Sequence, residues 1–178
     1  MKGGSIYSVR LFSFCLEEKT MNYFKDEAEL GALVRGFEMC TIHPAEFKHY
    51  QHLAVALWYV AHFPDREASD KMRNGIQRLA AAHGKMGYHE TITMFWLEIV
   101  RRFFAEASPR KSILNLANRL AAKFADKNVI YEYYSAEVLD SANAKADWVE
   151  PDLKPFEEIP EEFKSITRTP ASQPACVE

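Results

Sequence analysis

Residues 90–107, ETITMFWLEIVRRFFAEA, decide the fold. Written as a helix, this stretch carries apolar side chains around most of its circumference, so it must be enclosed by other elements. The stretches on either side also repeat apolar residues with helical spacing, and Pro, Gly or a capping Ser bounds several of them. We predict further helices over residues 25–40, 47–63, 65–83, 112–124 and 135–146.

The composition agrees with one folded domain. The chain has 178 residues, of which 48% are hydrophobic and 26% are charged, with only 7 Gly and 8 Pro. This length suffices for one core but not for two ordinary domains, and the few Gly and Pro argue against a turn-rich β-sandwich. The predicted fold class is therefore all-α, a single-domain bundle of five to six helices.

The two ends of the chain differ in composition from its middle. Residues 1–20 lack helical periodicity, carry Gly3-Gly4 and precede a second methionine, Met21, so we interpret them as a short N-terminal extension or an added strand. Residues 157–178 are acidic and contain several prolines, which is typical of a disordered tail. The helical domain is expected to span residues 21–156.

Charge, cysteine content and absent motifs argue against several classes of protein. With 22 basic and 25 acidic residues, the formal charge of −3 predicts no nucleic-acid partner. Three cysteines without a CxxC pair favour a reducing, cytoplasmic location. Residues 5–16 are interrupted by Arg10 and are too short to span a bilayer, so we expect neither a secretory signal nor a membrane partner. The GxGxxG, Walker, GxSxG and HExxH motifs are missing, so no nucleotide cofactor or serine nucleophile is predicted.

Two histidines of the second predicted helix are candidate metal ligands. His49 and His52 are three residues apart, so a helix places both imidazoles on one face. That face continues through Ala56, Tyr59 and Phe63 into the protein. Two buried imidazoles need partners, and neutral histidine is the commonest ligand of zinc, copper and iron. The alternative is that each ring hydrogen-bonds to a backbone carbonyl or a carboxylate, as in most isolated HxxH pairs.

A second candidate element opens the most buried helix. His89 and Glu90 stand at its entrance, where they could complete a metal site with His49 and His52 and leave one position open for water or substrate. Neighbouring side chains diverge by about 100° on a regular helix, so both bind one ion only if His89 lies in the turn before it. Otherwise Glu90 is a general base, or it hydrogen-bonds to a ligand residue without binding the ion itself. The alternative is ordinary capping, with Glu90 favoured by the helix dipole and His89 as the cap.

Tyr134 is a candidate catalytic residue. It belongs to a cluster with Tyr131 and Tyr133, whose phenol groups could line a pocket, donate protons or bind a substrate. More often, such tyrosines are packing groups with a hydrated hydroxyl.

Other polar residues receive a structural interpretation. His43, His62 and His83 each lie at a predicted helix end beside Pro or Gly, where an exposed or capping histidine is ordinary. Arg73 is expected on the outer face of the amphipathic helix over residues 65–83. We assign no function to these four residues.

Four stretches of the chain follow a familiar order. They are Phe47-x-His49-x-x-His52-Leu53 with Trp58, then Tyr88-His89-Glu90-Thr91-Ile92-Thr93, then Tyr133-Tyr134-Ser135 with Leu139 and Ser141, and finally Trp148-Val149-x-Pro151-Asp152-Leu153-x-Pro155. In this order they resemble a family of small bacterial proteins of uncharacterised function, over about residues 29–156. Because the family is uncharacterised, the resemblance implies no particular activity. The resemblance implies a shared site that Tyr134, Ser135 and Asp152 close, with Asp152 orienting a ligand imidazole.

Two functions fit these observations. The first is a metal-dependent enzyme acting on a small molecule, with His49, His52 and His89 as ligands and Glu90 as fourth ligand or general base, between the second and fourth helices. Zinc would favour a hydrolase or lyase, and iron or copper an oxidase or oxygenase. The alternative is a non-catalytic helical module that binds a ligand or a partner protein and whose histidines are structural. A homodimer is compatible with both.

Overall fold

The computed structural model describes residues 22–85, 87–108 and 110–156. These residues form seven α-helices and one 3-10 helix and contain no strand. The predicted all-α bundle is confirmed, whereas the predicted extension (residues 1–20) and tail (residues 157–178) lie outside the described residues. In chain order the elements are α1 (Glu27–Glu38), α2 (His49–His62), α3 (Asp65–Ala82), α4 (Glu90–Ala105), α5 (Ile113–Lys123), the 3-10 helix (Lys127–Glu132), α6 (Ala136–Asp140) and α7 (Ala142–Ala146).

Helix α4 occupies the centre of the bundle, as its apolar circumference predicts. It contacts α2, α3, α5 and α7, and Phe95, Leu97 and Val100 on different sides of it are at most 1% exposed. Full burial of a side chain of this size contributes about 1.5–3 kcal/mol. Because α4 is enclosed on several sides, its first turn, which carries the candidate residues, has a fixed position.

Two apolar clusters meet at α4. The larger one fills the space between α1, α2, α3, α4 and α5. The smaller one surrounds Phe95 with Ile130, Tyr134 and Leu139 from the C-terminal third of the chain. Trp96 and Phe124 pack against both clusters, so the two clusters form one continuous interior.

Side chains cap the starts of several helices. Asp26 accepts a hydrogen bond from the amide of Glu29 at the start of α1, and Ser112 does the same for α5. Ser135 caps α6 by accepting from the amide of Val138. Such a cap satisfies an amide that the helix leaves unpaired and contributes about 0.5–2 kcal/mol.

The last predicted helix is broken in two. Ser141 has an extended backbone, with φ −63° and ψ 149°, so α6 ends at Asp140 and α7 begins at Ala142. Its hydroxyl donates to the carbonyl of Val138 at 2.7 Å and accepts from the amide of Ala144 at 3.1 Å. One side chain thus ends one helix and starts the next, which helical periodicity alone does not reveal.

None of the described helices combines the length and the apolar composition needed to cross a membrane.

Candidate functional site

His49 lies at the start of α2 and faces α4 and α5. Its Nε2 donates to the carbonyl of Phe124 at 3.0 Å, and its ring packs edge-on against Trp96 with centroids 4.5 Å apart. Burial lowers the pKa of His49, and the hydrogen bond to Phe124 only partly offsets this. Trp96 follows His89 by seven residues, which is about 10 Å along a helix axis. His49 is therefore far from the start of α4.

His52 is one turn further along α2. Its Nδ1 donates to the carbonyl of Lys48 at 3.0 Å, and the ring of Phe47 covers it at a centroid distance of 3.9 Å. Burial lowers the pKa of His52 to about 4. His52 is therefore neutral at physiological pH, with one nitrogen engaged by its own helix.

His89 is the N-cap of α4, and both of its ring nitrogens have partners. Nδ1 accepts from the amide of Ile92 at 3.3 Å, and Nε2 donates to the carbonyl of Leu139 in α6 at 2.8 Å. Its backbone is extended, with φ −138° and ψ 108°. The geometric condition for joint metal binding with Glu90 is thus met. However, the ring has no lone pair left for an ion unless it gives up the cap.

Glu90 joins α4 to α3 through a buried ion pair. Nε of Arg73 donates to Oε2 at 3.0 Å, and the terminal NH2 of Arg73 donates to Oε1 at 2.6 Å. The hydroxyl of Tyr88 donates to Oε2 at 2.5 Å. Burial alone raises the pKa of Glu90, but the Arg73 and Tyr88 hydrogen bonds and the Arg73 charge outweigh it and lower the pKa. Such a carboxylate is a weak base.

Tyr134 is a fully buried member of the smaller cluster. Its hydroxyl donates to the carbonyl of Val149 at 2.7 Å. Burial and the nearby carboxylates of Glu150 and Asp152 raise its pKa, so it holds its proton at neutral pH. Asp152 itself is exposed and accepts from the amide of Ser135 at 2.9 Å, so in the described geometry its carboxylate holds the backbone of Ser135.

The predicted ligands are not brought together as one centre. In the described ranges, no group of three or more His, Cys, Asp or Glu side chains could hold a metal ion. α2 and α4 do pack against each other, but His49 meets α4 at Trp96, two turns away from His89 and Glu90. The first turn of α4 faces Arg73 of α3 on one side and Leu139 of α6 on the other.

The sequence did not predict the contacts that two residues make in this region. Arg73, expected on the outer face of its helix, is half-buried against Glu90. Thr91 is completely buried, and its Oγ1 donates to the carbonyl of Asp147 at 2.7 Å and accepts from the amide of Val149 at 3.1 Å. A threonine in the most buried helix is the only sequence signal for this contact, since a buried hydroxyl needs partners.

A shallow concavity lies away from all of these residues. It has a volume of about 110 Å³ and is lined by Phe103, Glu106, Ala107, Arg119 and Lys123. Ligand pockets usually measure about 300–1,000 Å³. The concavity is therefore small for a substrate, and it does not touch the predicted site.

Comparison of the chain with protein-family models, with curated proteins and with solved structures gives no significant match. The resemblance of its motifs to a family of small bacterial proteins therefore stays a prediction.

Proposed function

We propose that the chain is a non-catalytic helical module that binds a partner protein, and that its candidate histidines and Glu90 are structural groups. The observation that supports a structural role is the start of α4, where every side-chain nitrogen and oxygen of His89 and Glu90 has a protein partner. A metal ligand or a general base needs an available lone pair. Freeing one here would uncap α4 or leave the charge of Arg73 without its buried partner.

The C-terminal segment, residues 147–153, is fastened to the bundle by its backbone. Thr91 binds the backbone at Asp147 and Val149, and the hydroxyl of Tyr134 binds the carbonyl of Val149. The amide of Leu153 donates to the carbonyl of Tyr133 at 3.0 Å. Tyr134, which the sequence singles out as a catalytic candidate, thus helps Thr91 to hold a surface segment in place.

Leu153 of this segment is 58% exposed, and Tyr131, two residues before the Tyr133 carbonyl that binds it, is 53% exposed. We define the C-terminal surface by Tyr131, Tyr133 and Leu153. Tyrosine is enriched at protein interfaces, and its ring gives a large contact area. Because the backbone under these side chains is already ordered, a partner that binds them loses little conformational entropy. The acidic residues 157–178 follow directly in the sequence, so we propose a partner with a basic surface beside its apolar contact.

The metal-dependent enzyme remains a second candidate on one observation. His49 and His52 each donate one ring N–H to a backbone carbonyl, as metal-bound histidines commonly do, and the other nitrogen of each ring carries a lone pair. A Zn, Fe or Cu ion would need further ligands or water there. Hydrolase or lyase chemistry with Zn, and oxidase or oxygenase chemistry with Fe or Cu, stay predictions.

Chemical cross-linking of the full chain in its native cells tests the proposed surface. We expect a discrete cross-linked species with the wild type and its loss in the Tyr131→Ser/Leu153→Ser variant. Met39→Ser is the matched control, because Met39 is 72% exposed at the end of α1, and it should leave the species unchanged. A product of twice 20.5 kDa would identify the partner as a second copy. The absence of any product, or its equal loss with Met39→Ser, would contradict the proposal.

A further inference from the structure

Two histidines outside the candidate site lie side by side. His43 lies in the loop between α1 and α2, and His83 is the C-cap of α3. Their ring centroids are 5.2 Å apart, with the planes at 74°. Both backbones are held in turns, because the carbonyl of His43 accepts from the amide of Glu46 at 2.8 Å and the amide of His83 donates to the carbonyl of Ala80 at 3.1 Å.

One nitrogen of this pair lacks a hydrogen-bond partner among the described residues. Nε2 of His83 is shielded from solvent and has no hydrogen-bond partner within the described part of the chain. Shielded polar atoms in folded proteins nearly always have a partner, so such an atom calls for an explanation. An imidazole nitrogen beside a second imidazole can be satisfied by an ion that both rings bind.

We propose that His43 and His83 together bind one divalent transition-metal ion such as Zn²⁺, with water completing its coordination. With Zn–N bonds of about 2.0–2.1 Å and a tetrahedral angle at the ion, the centroids of two imidazoles on one zinc are roughly 5 Å apart. The observed centroid distance of 5.2 Å equals this separation. Two protein ligands make a site of modest affinity, which suits a binding or stabilising role.

The helix ends around the pair favour a cation. His83 ends α3, and His43 follows closely on the end of α1. The C-terminus of a helix carries a partial negative charge of about half an electron from its unpaired carbonyls. The end of α3 therefore contributes a field that favours a positive ion beside His83.

One hydrogen bond must be exchanged when the ion binds. Nδ1 of His43 accepts from the amide of Ala45 at 3.2 Å, so the neutral ring carries its proton on Nε2. To bind the ion through Nε2, the ring moves that proton to Nδ1 and releases the Ala45 amide. The contact is long and lies in an exposed loop, so water can replace it.

Calorimetric titration of the full chain with Zn²⁺ tests this site. We expect one equivalent bound with micromolar affinity in the wild type, and an affinity about tenfold weaker or more in His43→Ala and in His83→Gln. His62→Ala is the control, because His62 is exposed on α2 with its ring on Trp58, and it should bind as the wild type does. Urea midpoints of all variants establish that they are folded.

Two results would overturn the assignment. One is a wild type that binds no Zn²⁺ at micromolar concentrations, and the other is unchanged affinity in the His43→Ala/His83→Gln variant. Loss of binding in His49→Ala/His52→Ala but not in the His43 and His83 variants would place the ion on α2. That outcome would also count against the proposed function, whereas failure of the His43 and His83 site alone would not.

Discussion

His89 shows how much one side chain at a helix start can determine. Its two ring nitrogens connect the amide of Ile92 in α4 with the carbonyl of Leu139 in α6. Nδ1 accepts and Nε2 donates, so both hydrogen bonds use the same tautomer of the ring. In this protein, the two ring nitrogens through which a histidine can bind a metal instead join two helices.

Protonation of His52 makes stability depend on pH. Its pKa in the folded chain is about 4, below the value of about 6.5 in an unfolded chain, so the unfolded state takes up a proton first as the pH falls. His52 therefore stabilises the fold fully above about pH 6.5, and this contribution is lost between about pH 6.5 and 4, with a slope of up to about 1.4 kcal/mol per pH unit. His49, whose pKa is also lowered, acts in the same direction.

Urea unfolding at several pH values checks this prediction. We expect the free energy of unfolding of the wild type to fall more steeply between about pH 6.5 and 5 than that of His52→Gln, which cannot titrate. In the control His62→Gln an exposed histidine is replaced, and the wild-type slope should remain. Equal slopes in the wild type and His52→Gln would show that His52 is not buried as a neutral ring.

At the scale of the elements, two glycines differ in how closely another helix approaches them. Gly75 is buried in α3, and a Cβ built there would lie 2.3 Å from Cε1 of Phe37 in α1. Gly31 in α1 would meet only the end of the flexible Arg35 side chain, at 3.2 Å. The two glycines share a helical backbone but differ in what surrounds them.

The substitution Gly→Ala should therefore have opposite effects at the two positions. We expect Gly75→Ala to destabilise by about 1–3 kcal/mol, because the Phe37 ring is fully buried and has no room to move. Gly31→Ala should stabilise by about 0.5–1 kcal/mol through its helix propensity. Thermal or urea unfolding measures both. Stabilisation by Gly75→Ala would contradict the close packing of α1 on α3.

The element scale is also where sequence reasoning succeeds best. The predicted helix over residues 65–83 is α3 within one residue, because Pro64 and Gly84 mark its ends. The break at Ser141 depends on a single hydroxyl that hydrogen-bonds to the helix before it and to the helix after it. Helical periodicity therefore did not predict this break. Arg73 was misplaced because its partner Glu90 is 17 residues away and lies on another helix.

At the scale of the whole molecule, three of the candidate residues connect one helix to another. Glu90 joins α3 to α4, His89 joins α4 to α6, and His49 joins α2 to the end of α5. The motifs are recognisable in the sequence. Their hydrogen-bond partners are not, because those partners lie up to 75 residues away along the chain. A short motif of His and Glu is equally compatible with a metal centre and with helix connections until the fold is known.

The metal content of the purified chain tests the structural role of His49 and His52 most directly. Elemental analysis for Zn, Fe and Cu would compare untagged wild type with His49→Ala/His52→Ala and with His43→Ala/His83→Gln, all prepared without added metal or chelator. We predict that His49→Ala/His52→Ala has the same metal content as the wild type and a lower urea midpoint. Near-stoichiometric metal in the wild type that disappears in His49→Ala/His52→Ala would contradict the structural account and favour the metal-dependent enzyme.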